Sequence, residues 1–131
     1  MTINPAIDDD FTMIRTIINS YFTGLYQGNR SQLKAIFHPT AMLKSPGNFR
    51  SLERWLKDVE TRATPESLGQ PFNFKILSIE IIHDQAMVKL ECPLFDYFYI
   101  DFLGLLKEQG RWLIVNKMYT DITQTTNVAS V

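Results

Sequence analysis

The stretch from Tyr97 to Asp121 constrains this chain more than any other. Two runs rich in aromatic and aliphatic residues flank Glu108-Gln109-Gly110, which predicts an antiparallel hairpin with a three-residue loop and a left-handed glycine. That loop pairs Lys107 with Arg111, Leu105 with Leu113, Leu103 with Val115, Asp101 with Lys117, Tyr99 with Tyr119, and Tyr97 with Asp121. Side chains alternate along a strand, so these pairs share one face. It is aliphatic near the turn and turns to Asp, Lys and Tyr farther out. The opposite face carries Phe98, Ile100, Phe102, Leu106, Trp112, Ile114 and Met118. A sheet apolar on both sides needs two covers. Helices of the same chain can supply one, and the expected second cover is another copy: a homodimer through Phe98, Ile100, Phe102, Trp112 and Ile114.

The helices are legible upstream. Phe11, Ile14, Ile18, Tyr21, Phe22 and Leu25 follow the three-to-four spacing of a one-sided helix. Asp8, Asp9 and Asp10 suit its positive N-terminal end, and Gly28-Asn29 its stop. A second helix is expected from Ser31, carrying Leu33, Ile36 and Phe37 and ended by His38-Pro39. Residues 40–46 read as a short extended stretch closed by a Pro46-Gly47 turn. Ser51 caps a third helix reaching about Arg62, with Leu52, Trp55, Leu56 and Val59 on one stripe. After a polar loop from Ala63 to Pro71, Phe72 to Ile82 and Ala86 to Cys92 form a hairpin through His83-Asp84. It sets Ile81 opposite Ala86, Ile79 opposite Val88 and Leu77 opposite Leu90, with a bend separating Phe72 and Phe74 from the rest.

Composition removes whole classes of function. Thirteen Lys and Arg against fourteen Asp and Glu give a net charge of −1, so no general attraction to nucleic acid is expected. No apolar run approaches a membrane span of ~18 residues, and the first ten residues lack a basic-then-apolar leader pattern. The expected compartment is the cytoplasm. One cysteine and two histidines leave no disulfide and no structural zinc set, so neither metal nor cofactor is expected. The 131 residues are read as one domain, 1–131, with a core at 8–122 and a frayed tail at 123–131.

Three helices, a short strand and a meandering antiparallel sheet make an α+β roll. The chain here resembles the nuclear transport factor 2-like superfamily, and within it the lumazine-binding and SnoaL-like branch. The residues that carry the likeness are Tyr21 to Gly28 (YFTGLYQG), Ile36 to Ala41 (IFHPTA), Asp101 to Lys107 (DFLGLLK) and Gly110 to Lys117 (GRWLIVNK). The resemblance implies a cystatin-like roll, three N-terminal helices packed on a curved antiparallel sheet to form a cone-shaped pocket. The superfamily includes ketosteroid isomerase, dehydratases, polyketide cyclases and non-catalytic binding or dimerisation modules, so the fold alone settles no chemistry.

Matching motifs residue by residue, the resemblance puts Tyr21 and Asp101 where the isomerase has its oxyanion donors. It puts Ser45 where that enzyme has its base, a place a neutral serine cannot fill. Lys117 beside Asp101 favours a carboxylate that accepts hydrogen bonds rather than donates them. The expected ligand site therefore comprises Tyr21, Trp55, Tyr99, Asp101, Lys117 and Tyr119, around a small apolar or aromatic molecule. Each has a plainer role as well: core tyrosine, core tryptophan, cross-strand aromatic pair, cross-strand ion pair. Three functions stand open. One is a binding domain anchored by Asp101 and Lys117; another is an isomerase, dehydratase or cyclase with Asp101 as acid/base and Tyr21 polarising a carbonyl. The third is a dimerisation module whose pocket is filled.

Overall fold

The computed structural model describes residues 5–123, with side chains described from Asp9 onward. The expected frayed tail, apart from Thr123, lies outside the described residues. Helix α1 spans Pro5–Gln27, α2 Arg30–Lys34 and α3 Leu52–Thr61; the strands are β1 Phe37–Ser45, β2 Asn48–Ser51, β3 Lys75–Ile82, β4 Gln85–Leu94, β5 Tyr97–Glu108 and β6 Arg111–Asp121. They form one sheet in the order β2-β1-β6-β5-β4-β3. Only β1 and β6 run parallel; the other neighbours are antiparallel. The helices pack on one face of this curved, unclosed sheet, and the core lies between them.

Helix α1 buries Ile14, Ile18, Tyr21, Phe22 and Leu25, the stripe its spacing predicts. It starts earlier than expected, so Asp8, Asp9 and Asp10 sit within its opening turns rather than ahead of them. Asp10 does more than complement a dipole. It is nearly buried, and its Oδ1 accepts from Lys107 Nζ and Trp112 Nε1, both at 2.9 Å. Helix α2 is a single turn capped by Asn29, whose side chain accepts from the Gln32 N–H. It ends before Ile36 because the chain already turns into β1, so Phe37, His38 and Pro39 are strand residues. His38 Nδ1 accepts from the Thr40 N–H at 3.1 Å. Ser51 caps α3 as predicted, its hydroxyl accepting from the Arg54 N–H at 3.2 Å. Phe72 and Phe74 lie before β3, not in it. Phe74 stacks on Phe22 with ring centroids 5.1 Å apart, and Phe72 meets Tyr26 edge-on at 5.3 Å.

The two long hairpins correct the predicted pairing. In β3–β4, Ile81 faces Ala86 and Ile79 faces Val88 as expected, but a bulge between Ile76 and Ser78 puts Ile76, not Leu77, opposite Leu90. In β5–β6 the loop has two residues, not three. Gln109 and Gly110 both take positive φ, 53° and 75°, as a tight hairpin turn matching strand twist requires. Glu108 therefore pairs Arg111, Lys107 pairs Trp112 and Leu105 pairs Ile114. Trp112 and Ile114 consequently point under the helices, 2% and 0% exposed, and drop out of the expected dimer face. Beyond them one extra residue, Val115, enters β6, so Gly104 pairs Asn116 and Asp101 pairs Tyr119. Leu113 and Val115 go to the outer face, while Lys117 and Tyr119 return to the inner one.

Two predictions follow from these contacts. Gly28 holds φ +63° at the end of α1, and an added Cβ would stand 2.5 Å from Thr64 Cγ2; Gly47 holds φ +76° with nothing within 4 Å. Gly28→Ala should cost about 2–3 kcal/mol in urea unfolding, and Gly47→Ala only the ~1 kcal/mol of backbone strain. Asp10 is held below its ordinary 3.8, first by the hydrogen bond from Lys107 and then by that from Trp112. A lowered carboxylate contributes its stability in full above the unfolded value and loses it as pH falls through the folded one. Asp10→Asn should cost about 1–2 kcal/mol at pH 7 and flatten the loss of stability below pH 4, read by urea titrations across pH.

Candidate functional site

The face switch in β6 gathers the polar residues at one end of the cone. Asp101 from the middle of β5 and Lys117 from β6 both project inward, 2% and 7% exposed. They are not directly opposite, as the three-residue loop implied; Lys117 faces Leu103, and the pair meets on the diagonal, Nζ to Oδ2 at 3.8 Å. Because the two register changes add to an even number, both residues keep the same face and the pair survives the error. Tyr21, fully buried on α1, donates its hydroxyl to the same Oδ2 at 2.6 Å.

Lys117 lies in a box of rings. Its Nζ is 4.7 Å from the centroid of Trp55, 5.2 Å from Tyr21 and 5.3 Å from Tyr119. Ring faces attract an ammonium when water is excluded, which offsets part of its desolvation. Burial nevertheless pulls Lys117 below the ordinary lysine value, with the charge of Asp101 opposing it. Burial raises Tyr21 well above its usual range, and the Asp101 charge adds to that, so its proton stays on. Burial also drives the Cys92 thiol far up, leaving an inert core sulfur rather than a nucleophile.

Above this layer lies a cavity of about 50 Å³, bounded by Leu25, Arg50, Trp55, Arg62, Leu94, Tyr99, Asp101, Lys117 and Tyr119. It has room for a few waters and not for a fused ring system in this conformation. Five of the six predicted site residues border it, and the sixth, Tyr21, reaches it through Asp101. Trp55 forms a wall packed against Phe37, with ring centroids 5.3 Å apart. Tyr99 and Tyr119 meet edge to face at 5.9 Å, diagonally rather than as the expected cross-strand pair. Tyr119 is held at the mouth by Arg50 Nη2 at 2.8 Å and Asn48 Nδ2 at 3.1 Å, each donating to its hydroxyl.

The two arginines were missed by the sequence reading. Arg50 comes from β2 and Arg62 from the C-terminal cap of α3, segments whose periodicity gives no hint that they face the sheet interior. Arg50 Nη1 donates to Asp58 Oδ2 at 3.0 Å, while its Nε is buried without a partner. Arg62 lies over the Phe95 ring at 5.1 Å, and burial lowers it from the ordinary arginine value.

Larger hollows lie elsewhere. One of about 390 Å³ opens on the outer sheet face beside Met87, Gly104, Leu106 and Val115, and one of about 330 Å³ separates α1 from the β5–β6 turn. The first is lined also by Glu80, His83, Asp84 and Gln85 around the β3–β4 turn, and the second is mainly apolar. Among the described residues no group of His, Cys, Asp and Glu is placed to hold a metal ion, and no helix is long and apolar enough to cross a membrane.

The fold has clear counterparts. A nuclear transport factor 2-like protein of unknown function from Silicibacter pomeroyi superposes with a TM-score of 0.76 at 25% identity, over 92% of this chain and 99% of that one. One from Shewanella baltica, also of unknown function, gives 0.75 at 18% identity, over 86% and 94%. A putative ketosteroid isomerase from Shewanella frigidimarina gives 0.58 at 16% identity, over 80% and 92%, a likeness of fold. No curated protein matches the sequence. Residues 9–120 match the model of a family described as putative lumazine-binding. The chain belongs to that family, within the nuclear transport factor 2-like superfamily.

Proposed function

We propose that this protein is a small-molecule-binding domain whose ligand enters the cone between Tyr99 and Tyr119 and is oriented by Asp101 and Lys117. One observation carries the reading. The Lys117 side chain is almost wholly buried, yet its ammonium donates no hydrogen bond to a described residue, and it borders a cavity as well as its three rings. Burying an ion pair costs several kcal/mol per charge, about what a packed apolar pair would avoid, so an incompletely satisfied one points to a site rather than to stability. The family's description points the same way.

Catalysis of the isomerase kind is the weaker reading. An oxyanion hole needs two donors aimed at one empty point. Here the Tyr21 hydroxyl is spent on Asp101, and Asp101 receives it beside an ammonium. Ser45, at the end of β1, supplies no carboxylate for a base.

The same proposal includes a second copy of the chain on the outer sheet face. Phe102, Met118 and Met87 are substantially exposed there, with Ile100 and Phe98 half-buried beside them. Gly104 leaves a hollow one row from the protruding Phe102 and Met118. A two-fold interface needs knob and hollow on the same surface, and Lys89 next to Glu91 gives its rim both signs. Relative to the sequence expectation, Leu113 and Val115 replace Trp112 and Ile114.

Both halves can be tested. In a thermal-shift panel of lumazine, flavin fragments, phenols and steroids, a ligand at about 100 times its dissociation constant adds ~2.7 kcal/mol and moves the midpoint by several degrees. The shift should vanish in Asp101→Leu and in Lys117→Met. Each single change should destabilise the free protein by about 3 kcal/mol, and the double change should recover most of that. Unchanged affinity in stable single variants would sink the site. For the dimer, light scattering should give twice the chain mass, and Phe102→Glu should give one chain mass with the fold retained by circular dichroism. A wild-type monomer at high micromolar concentration would dismiss it.

A further inference from the structure

The charges around the cavity do not balance. Three cationic heads border it, Arg50, Arg62 and Lys117, against one carboxylate, Asp101. That carboxylate is already engaged, its Oδ2 taking the Tyr21 hydroxyl and facing Lys117. Asp58 satisfies one arm of Arg50 from outside the cavity and leaves Nε bare. The guanidinium of Arg62 makes no hydrogen bond and no ion pair with any described residue; its contact is the face of Phe95. Lys117 Nζ likewise donates to no described acceptor. Cationic donors therefore outnumber the one lining carboxylate around a single small space. Lys117 and Arg50 each have one carboxylate partner and Arg62 has none among the described residues, so the cavity carries an excess of positive charge that an anionic guest would offset.

Resting on the small-molecule reading above, we infer that the ligand is a small aromatic carboxylate, its acid group received by Arg62, Arg50 and Lys117 and its ring held by Tyr99 and Tyr119. Size supports the assignment. A cavity of about 50 Å³ is too small for a ring but takes a planar two-oxygen head, leaving the ring in the tyrosine-lined mouth. Chemistry supports it too. Guanidinium forks match a carboxylate's paired oxygens, and aromatic faces accept a flat ring without demanding one substitution pattern. Asp101 then serves to hold the Lys117 ammonium beside the cavity, so that its loss also weakens the acid's binding.

The test compares matched acid and amide on the wild-type protein, so that it does not depend on a variant folding. Benzoate against benzamide, and phenylacetate against phenylacetamide, are titrated calorimetrically at constant ionic strength, with lumazine as a neutral bicyclic reference. The acids should bind at least tenfold more tightly than their amides, and Arg62→Met should erase that preference. Amides or lumazine binding as tightly as the acids, with affinity lost in the Asp101 and Lys117 variants, would overturn the anion and keep the binding domain. Acid binding that is unchanged in Arg62→Met would overturn the assignment of the acid group to this cluster. No binding by any compound at millimolar concentration would remove both readings together.

Discussion

One extra residue in β6 governs how this fold works. With the two-residue turn, strict alternation would keep Trp112, Ile114 and Asn116 inward and send Lys117 and Tyr119 to the outside. The bulge at Val115 moves the strand's inner phase by one residue, so Trp112 and Ile114 close the core beneath α1 while Lys117 and Tyr119 enter the cone. A regular strand cannot place both sets on one face, because its side-chain period is two. The cost is a broken ladder bond at one position. The gain is that a single sheet face is hydrophobic core at one end and a polar chamber at the other.

The chamber is expensive, and its surroundings are arranged to contain the expense. Lys117 has a carboxylate at 3.8 Å and three ring faces within 5.3 Å, which is support from attraction without the exactness of a hydrogen bond. Asp101 has Tyr21 as a donor from the one helix long enough to reach across the sheet. At the other end of that helix Asp10 meets Lys107 and Trp112 with ordinary, complete hydrogen bonds. The contrast is informative. Where polar groups serve only to fasten α1 to the sheet they are satisfied, and at the cavity Arg50 Nε is buried without a partner.

How much of this was legible follows from which rules are local. Helix α1's stripe, the Ser51 cap and the pairing of Ile79 and Ile81 depend on neighbours a few residues away, and these came out as read. Loop length in β5–β6 did not, because Glu108-Gln109-Gly110 suits both a two- and a three-residue turn and only packing decides. Asp101 and Lys117 survived that error because the turn and the bulge each moved the pairing sum by one, restoring parity. Trp112 and Ile114 did not survive it, since they lie between the two irregularities. The same parity argument explains why the expected site residues still lie together while two of the expected dimer-face residues are buried. Arg50 and Arg62 were invisible for a different reason: they sit at the ends of elements, where direction comes from the tertiary path rather than from a period.

The fastening of Tyr119 and the excess of positive charge share one residue, Arg50. Tyr119 is fastened by Arg50 and Asn48, and Arg50 is in turn divided between Tyr119 and Asp58. A neutral ring wedged between the tyrosines would have to break those contacts and replace them with nothing. An acid group offers Arg50 a better acceptor than a phenol oxygen, since a charged acceptor makes the stronger hydrogen bond.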